Sequence, residues 1–323
     1  MKLRLALLMS LLPVSAGVGA QEANPPPPAE PAGFTLGYDE DRSERMTVPV
    51  SIEGRGPYQF IVDTGAERTV IARELARDLE LGEGTRARLH SMSEVSDIRT
   101  VLIRALEVGG KRVQHINAPA LERQNIGAEG ILGVDSLQSQ RVSFDFERQQ
   151  MTVVPSRKRE ERWPSDTIVV TAKNRFGHLV LVDASVDGQK VWVILDTGAQ
   201  VSVANSALRR KLERKRRLRA VWPIEMTSVT GGKVHAEQTV VKEIRLSGVD
   251  IRDLPLAFAD VHPFKKLGLT DRPAILLGMD ALRLFTRVSV DFANRRVRLL
   301  PAGHSLAPSP IQVARIEANL IGR

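Results

Sequence analysis

No cysteine occurs anywhere in the 323 residues. Its absence removes a thiol nucleophile, thiolate metal sites, disulfides and a lipid-modified cysteine behind an export signal, so stability has to come from the core. Aromatic residues are scarce as well. Three Trp, two Tyr and nine Phe are too few for the stacking platforms that bind single-stranded nucleic acid. Six histidines (His90, His115, His178, His235, His262, His304) include no His-Glu-x-x-His and no close pair in sequence, which argues against zinc catalysis. Neither Gly-x-Ser-x-Gly nor Gly-x-x-x-x-Gly-Lys is present, so there is no serine-hydrolase elbow and no phosphate loop. Nothing asks for a metal or a cofactor. Beyond the N-terminus no apolar run is long enough to span a membrane.

What is present begins with Met1-Lys2-Leu3-Arg4, the apolar run LALLMSLLPVSAGVGA and small residues up to Ala20, the pattern of a secretory signal over 1–20. The expected location is therefore outside the inner membrane, in the periplasm. EANPPPPAEPAG follows and reads as an extended proline-rich spacer over 21–34. The formal charge of +8 drops to +6 without Lys2 and Arg4 (8 − 2), which favours anionic surfaces without naming one. Its densest source is LRRKLERKRRLR, Leu208 to Arg219, with eight bases and one acid. That run reads first as a solvated helix face, and second as a patch for anionic phospholipid or an envelope polymer.

Self-comparison organises the rest of the chain. SIEGRGPYQFIVDTGA (Ser51 to Ala66) returns as ASVDGQKVWVILDTGA (Ala184 to Ala199), GILGVDSL (Gly130 to Leu137) as LLGMDAL (Leu276 to Leu282), and VSFDFERQQMTVVP (Val142 to Pro155) as VSVDFANRRVRLLP (Val288 to Pro301). Three blocks recur in one order with offsets of 133 (196 − 63), 145 (277 − 132) and 146 (291 − 145), so the second copy carries about a dozen extra residues between its first two blocks, placed here near the basic run. Two copies imply duplication into two lobes rather than a solenoid. Their expected limits are 35–155 and 167–302, each large enough for its own core, with a charged, proline-bounded linker at 156–166 and a tail at 303–323. Short runs of Val, Ile and Thr punctuated by Gly, Asn and Asp predict a mainly β protein with a short helix in each lobe. The helices are expected over Ala72 to Leu81 and Asn205 to Arg217, with Asn205 as N-cap.

Each copy ends an apolar strand on Asp-Thr-Gly-Ala, at Asp63 and at Asp196. A carboxylate beside buried β-branched residues is costly unless hydrogen bonds or a shared proton satisfy it. Two carboxyls about 3 Å apart cannot both ionise, and a singly protonated pair offers a general base and a general acid to one water across an acidic to near-neutral range. Gly65 and Gly198 permit a sharp turn that presents N–H groups to the carboxylates; Thr64 and Thr197 have hydroxyls that can bond across to the opposite loop; Ala66 and Ala199 leave room for it. Asp135, Asp145, Asp280 and Asp291 also recur and read as turn or surface aspartates.

DTGAERTV and DTGAQVSV resemble the active-site loop of the retropepsin-like aspartic proteases, with Thr69 and Ser202 at the last position of the pattern, and Ile131-Leu132-Gly133 and Leu276-Leu277-Gly278 resemble the apolar pair and glycine packed behind that loop. The resemblance implies two duplicated acid-protease β-barrel lobes in one monomeric chain, Asp63 and Asp196 meeting as the catalytic pair, no cofactor, and a protein or peptide substrate hydrolysed without an acyl-enzyme. It also implies a β-hairpin flap. TSVTGGKVHAEQT (Thr227 to Thr239), turning at Gly231 and Gly232, is the candidate in the second copy, and LHSMSEVSDIRT (Leu89 to Thr100) its counterpart without a glycine turn. Neither has the tyrosine found on pepsin flaps. An inactive peptide-binding module of the same fold and an envelope protein working through the basic run remain as alternatives.

Overall fold

The computed structural model describes residues 34–37, 39–40, 46–92, 95–108, 111–137, 140–157, 162–175, 178–181, 183–302 and 305–306. The expected export signal, nearly all of the spacer and nearly all of the tail lie outside them. The described residues fall in one compact unit. Strands dominate, as expected, over six short helices: α1 (Arg73–Asp78), α2 (Arg123–Ile126), α3 (Val134–Leu137), α4 (Ser206–Arg214), α5 (His262–Lys266) and α6 (Met279–Leu282). The expected helices are α1 and α4, each shorter than its apolar pattern. Asn205 caps α4 by accepting from the Leu208 N–H at 3.1 Å, which satisfies one of the amides that the first turn leaves open.

The strand Arg55–Val62 carries the first Asp-Thr-Gly-Ala. Its apolar end, Phe60, Ile61 and Val62, is fully buried, because it runs through the middle of an eight-stranded sheet. There it pairs parallel with Gly130–Leu132, which pairs antiparallel with Val70–Ala72. Pairing of Ser51 and Ile52 with Glu107 and Leu106 brings the sheet back on itself. The second copy repeats the plan: Trp192–Leu195 lies parallel to Ala274–Leu277, and that strand lies antiparallel to Val203–Ala204. Continuous apolar runs suit such strands because both faces are covered.

The third recurring block does something its alternation does not announce. Gln140–Asp145 and Phe285–Asp291 pair antiparallel with each other, Ser143 opposite Ser289, and the Ser143 hydroxyl donates to that of Ser289 at 2.9 Å. With their hairpin partners, Gln150–Pro155 and Arg296–Pro301, and an outer strand at each edge, Phe34–Gly37 and Ile168–Thr171, they form one six-stranded sheet shared by both copies. Equivalent residues meeting at its centre place the pseudo-twofold axis there. The expectation of one core per lobe is corrected accordingly: the larger apolar cluster runs without a break from Met46 to Leu299, and a smaller one around Phe264 and Leu269 belongs to the second copy. One face of the shared sheet is apolar across both copies, with Val142 opposite Val290 and Phe144 opposite Val288, so no polar seam divides the core on that side.

The extra residues of the second copy also divide differently from the expectation. From the aspartate to the first strand of the long hairpin is 20 residues in the first copy (83 − 63) and 26 in the second (222 − 196). The connection that leads into the Leu-Gly strand spans 9 residues in the first copy (130 − 121) against 16 in the second (274 − 258). Part of the insertion lengthens α4 and the basic run, and the other part lengthens the connection that holds α2 in the first copy and α5 in the second.

Candidate active site

Two parallel strands end side by side, and the chain between them has to turn at once. Asp63 N–H donates to Leu132 O at 3.1 Å and Asp196 N–H to Leu277 O at 3.0 Å, so each aspartate is the last residue held by its sheet. Past it the backbone folds over its own carboxylate. Asp63 Oδ1 accepts from Gly65 N–H at 2.7 Å and Ala66 N–H at 2.9 Å; Asp196 Oδ1 accepts from Gly198 N–H and Ala199 N–H, both at 3.1 Å. The two loops face each other across the axis. A Cβ built on Gly65 would fall 2.7 Å from Asp196 Oδ1, and one on Gly198 would fall 2.2 Å from Asp63 Oδ2. Only glycine admits the opposite carboxyl, a requirement beyond the turn itself.

The threonines lock the loops together. Thr64 Oγ1 donates to Leu195 O at 3.1 Å and accepts from Thr197 N–H at 3.3 Å; Thr197 Oγ1 donates to Val62 O at 2.7 Å and accepts from Thr64 N–H at 2.9 Å. Thr64 and Thr197 are both buried. Every one of these bonds crosses between the copies, so the grip holds both aspartates at the axis. With buried donors and acceptors on both sides, removing one hydroxyl strands its partners at roughly 1–3 kcal/mol.

Behind the loops sits a layer that the turn reading of Asp135 and Asp280 misses. Asp135 accepts from Thr69 N–H and Thr69 Oγ1 at 2.9 and 2.8 Å, and Asp280 from Ser202 N–H and Ser202 Oγ at 2.8 and 2.7 Å. Thr69 and Ser202 in turn accept from Gly133 N–H at 3.2 Å and Gly278 N–H at 3.1 Å. Each glycine of the apolar pair thus docks against the loop, where a Cβ on Gly133 would strike Arg68 backbone at 2.4 Å and one on Gly278 would strike Val201 backbone at 2.8 Å. The clue in the sequence is position: both aspartates stand two residues after the recurring glycine. Asp145 and Asp291 are turn residues as expected, accepting from Arg148 N–H and Asn294 N–H, although Asp291 is fully buried rather than at the surface.

Part of Asp196 opens to solvent, but the protein packed around its carboxyl desolvates it. That burial, then the charge of Asp63 within hydrogen-bonding reach, pushes Asp196 up to about 8. Burial also raises Asp280, to about 6, against the bonds from Ser202. A carboxyl raised next to a second carboxyl is the electrostatic mark of a pair that shares one proton.

Both stretches read as flap candidates fall in β-hairpins. Trp222–Thr227 and Lys233–Leu246 pair from Thr227 opposite Lys233, with Gly231 at φ +84° in the turn. In the first copy Glu83–His90 pairs with Val95–Val108, His90 opposite Val95. Each tip reaches the other copy: Thr230 Oγ1 donates to Ser91 Oγ at 3.3 Å, His262 N–H donates to Met92 O at 3.2 Å, and Gly231 packs against Asn125 so closely that a Cβ would fall 2.8 Å from its amide.

The aspartyl protease family model matches residues 48–136 and 182–281, more than half of the 323 residues, and each match takes in one Asp-Thr-Gly-Ala loop and the Leu-Gly pair behind it. No curated protein matches the chain. Matched in both copies, the chain belongs to the aspartyl protease family, as a two-lobed, retropepsin-like member.

Proposed function

We propose that this chain is an aspartic endopeptidase, active as a monomer, in which Asp63 and Asp196 activate one water between them. The observation that carries the reading is the placement of two carboxyls in mutual contact, each under two backbone N–H donors, with one pushed up in pKa. The shorter bonds at Asp63 favour the charge there, and the raised Asp196 keeps the proton. Asp63 takes a proton from water as the oxygen bonds to the peptide carbonyl carbon, while Asp196 gives its proton to the carbonyl oxygen. A neutral tetrahedral diol results. Its collapse breaks the C–N bond, returns a hydroxyl proton to Asp196 and delivers the proton on Asp63 to the leaving nitrogen, which restores the pair.

Substrate would lie extended between the lobes under the two hairpins, bonded as an added strand. The N-terminal pattern supports export to the periplasm, where proteins and peptides are the substrate. The test is cleavage of a diverse peptide library between about pH 3 and pH 9 by the wild-type chain and by Asp63→Asn and Asp196→Asn. Loss of about 1,000-fold or more in each variant is expected, with wild-type activity falling as pH rises through about 8, where Asp196 loses its proton. Binding of peptides without turnover by the folded wild-type chain would replace the enzyme reading with that of a peptide-binding module.

A further inference from the structure

Helix α5, in the second copy's longer counterpart of the connection that holds α2, has no function in the reaction above, and it meets the first copy at an unusual contact. His90 Nδ1, at the end of the first hairpin strand, stands 3.3 Å from His262 Nε2, the first residue of α5. The ring centroids are 4.6 Å apart and the planes tilted by 41°. Beside it His262 N–H bonds to Met92 O, and the Met92 side chain packs on the second copy's apolar cluster. The hairpin tip is therefore held to the opposite lobe by two side-chain bonds, His90 to His262 and Thr230 to Ser91, one backbone bond and one apolar contact, and of these only the histidine pair titrates.

The tautomers of that side-chain bond are constrained. His262 Nδ1 is buried without a hydrogen-bond partner among the described residues. An N–H buried there without an acceptor would be costly, whereas a bare ring nitrogen costs less. The favoured arrangement is hence His262 Nε2–H donating to a bare His90 Nδ1, with both rings neutral. Protonating His90 at Nδ1 removes the acceptor. Protonating His262 puts an N–H at the unpartnered Nδ1. Protonating both sets two N–H groups and two like charges face to face.

The surroundings work against protonation as well. α5 presents Lys265 and Lys266, the hairpin strand presents Arg88, and the active-site loop presents one acid, Glu67. Glu67 is already paired with Lys266 at 2.7 Å, and Arg88 lies 3.6 Å from Asp97. Desolvation first holds both imidazoles below their ordinary value, followed at His262 by His90 and then Lys265 and Lys266, and at His90 by Lys266 and Arg88 against the opposing Glu67.

We propose that His90 and His262 form an acid-released latch that pins the first hairpin to the second lobe at neutral pH and frees it on acidification. The closed contact is worth most when both rings are neutral, so its contribution is present above the ordinary imidazole range near 6.5 and is lost as pH falls through the lowered values in the closed state. Opening would then coincide with the acid side of the range in which the aspartate pair holds one proton. A protein exported into a compartment of variable pH would keep its cleft shut until acidified.

The absence of cysteine makes a direct test simple. Val95 and Thr270 are exposed, one on the hairpin and one beyond α5; Val95→Cys and Thr270→Cys would carry spin labels in the full chain with Asp63→Asn, so that the distance readout stands whether or not the chain hydrolyses peptides. Electron–electron double resonance should give one short distance at pH 7.5 and a longer, broader distribution holding more than half the molecules at pH 4.5. The change should vanish in His90→Gln/His262→Gln, whose amides do not titrate. Lys266→Gln should move the midpoint to higher pH, because it removes a cation and releases Glu67 toward His90. An unchanged distribution in the parent across this range, or the same change in the glutamine pair, would overturn the latch.

Discussion

In the first lobe the aspartate carboxyl accepts backbone bonds of 2.7 and 2.9 Å; in the second both are 3.1 Å. The frames around them share the same principal bonds, from the strand that ends at the aspartate to the glycine docked behind the loop, while the Thr69–Ser136 hydroxyl contact of the first copy has no equivalent at Ala281 in the second. Duplication thus supplies the geometry of a symmetric pair, while small departures from symmetry set its members apart, Asp196 being raised by burial and by the neighbouring Asp63. A symmetric pair needs only one proton, but the proposed reaction needs that proton on a defined side when water attacks the carbonyl carbon. The second lobe departs further in α5, whose histidine and lysine reach the first lobe's hairpin and active-site loop.

The comparison is broken most severely at the crossing glycines. Gly198→Ala places a methyl 2.2 Å from Asp63 Oδ2, and Gly65→Ala one 2.7 Å from Asp196 Oδ1. Neither carboxyl can step aside without losing its two N–H bonds. Both variants should lose at least about 100-fold in kcat/KM, since a misplacement of about 1 Å at reacting groups costs that much, and Gly198→Ala should lose more. Equal retention of activity in both would mean that the loops give way and that the pair is not held by close approach.

The threonine grip sharpens the comparison by stability. Thr197 Oγ1 makes the shorter bonds, 2.7 and 2.9 Å against 3.1 and 3.3 Å for Thr64 Oγ1. Thr197→Val should therefore cost more than Thr64→Val, each in the range of about 1–3 kcal/mol read from urea unfolding. The reverse order would place the stronger half of the grip in the first lobe.

Much of this architecture is legible in the sequence, because duplication makes a chain its own control. Asp63 and Asp196, their threonines and glycines and the hairpin turn at Gly231 all stand out as paired words or turn chemistry. Asp135 and Asp280 stand out too, but their role does not: a carboxylate after a strand is usually a turn residue, and the hydroxyl of Thr69 or Ser202 that it receives comes from a segment more than 60 residues away, as the separations of 66 and 78 show. The shared sheet is hidden because alternation fixes which face of a strand is buried, not which strand lies beside it. His90 and His262 are 172 residues apart, and no period or motif links them.

A smaller effect separates the two raised carboxyls. Asp196 and Asp280 sit above the unfolded carboxylate value of 3.8, at about 8 and about 6. Between these limits the folded chain binds more protons than the unfolded one, so stability falls as pH rises, through about 6 for Asp280 and on to about 8 for Asp196. Asp196→Asn should flatten the decline between pH 6 and 8 and raise stability at pH 8 by about 1–2 kcal/mol, a few degrees in melting temperature for a chain of this size. A decline that persists unchanged in that variant would remove Asp196 as its cause.

The smallest contrast lies in the helices that follow the two loops. In α1, Arg73, Glu74, Arg77 and Asp78 balance in charge, whereas α4 carries Arg209, Arg210, Lys211 and Arg214 against Glu213 alone. Arg209 is matched, by Glu213 at 2.7 Å and Glu237 at 2.8 Å, and beyond the helix Arg219 pairs with Asp253 at 3.2 Å. Arg210 and Arg214 are exposed and stand one turn apart with like charge, an arrangement that costs about 0.2–0.5 kcal/mol. Arg210→Glu turns repulsion into an i,i+4 attraction and should stabilise the chain by up to about 0.5 kcal/mol at low salt, with most of the gain screened at about 0.5 M. A natural sequence that forgoes so small a gain on an ordinary solvated face is expected, since nothing selects stability beyond need. Retention of vesicles of anionic lipid by the wild-type chain, lost in Arg210→Glu at an ionic strength where the stability difference has vanished, would instead show that the repulsion is kept because α4 binds an anionic surface, a task for which α1 has no counterpart.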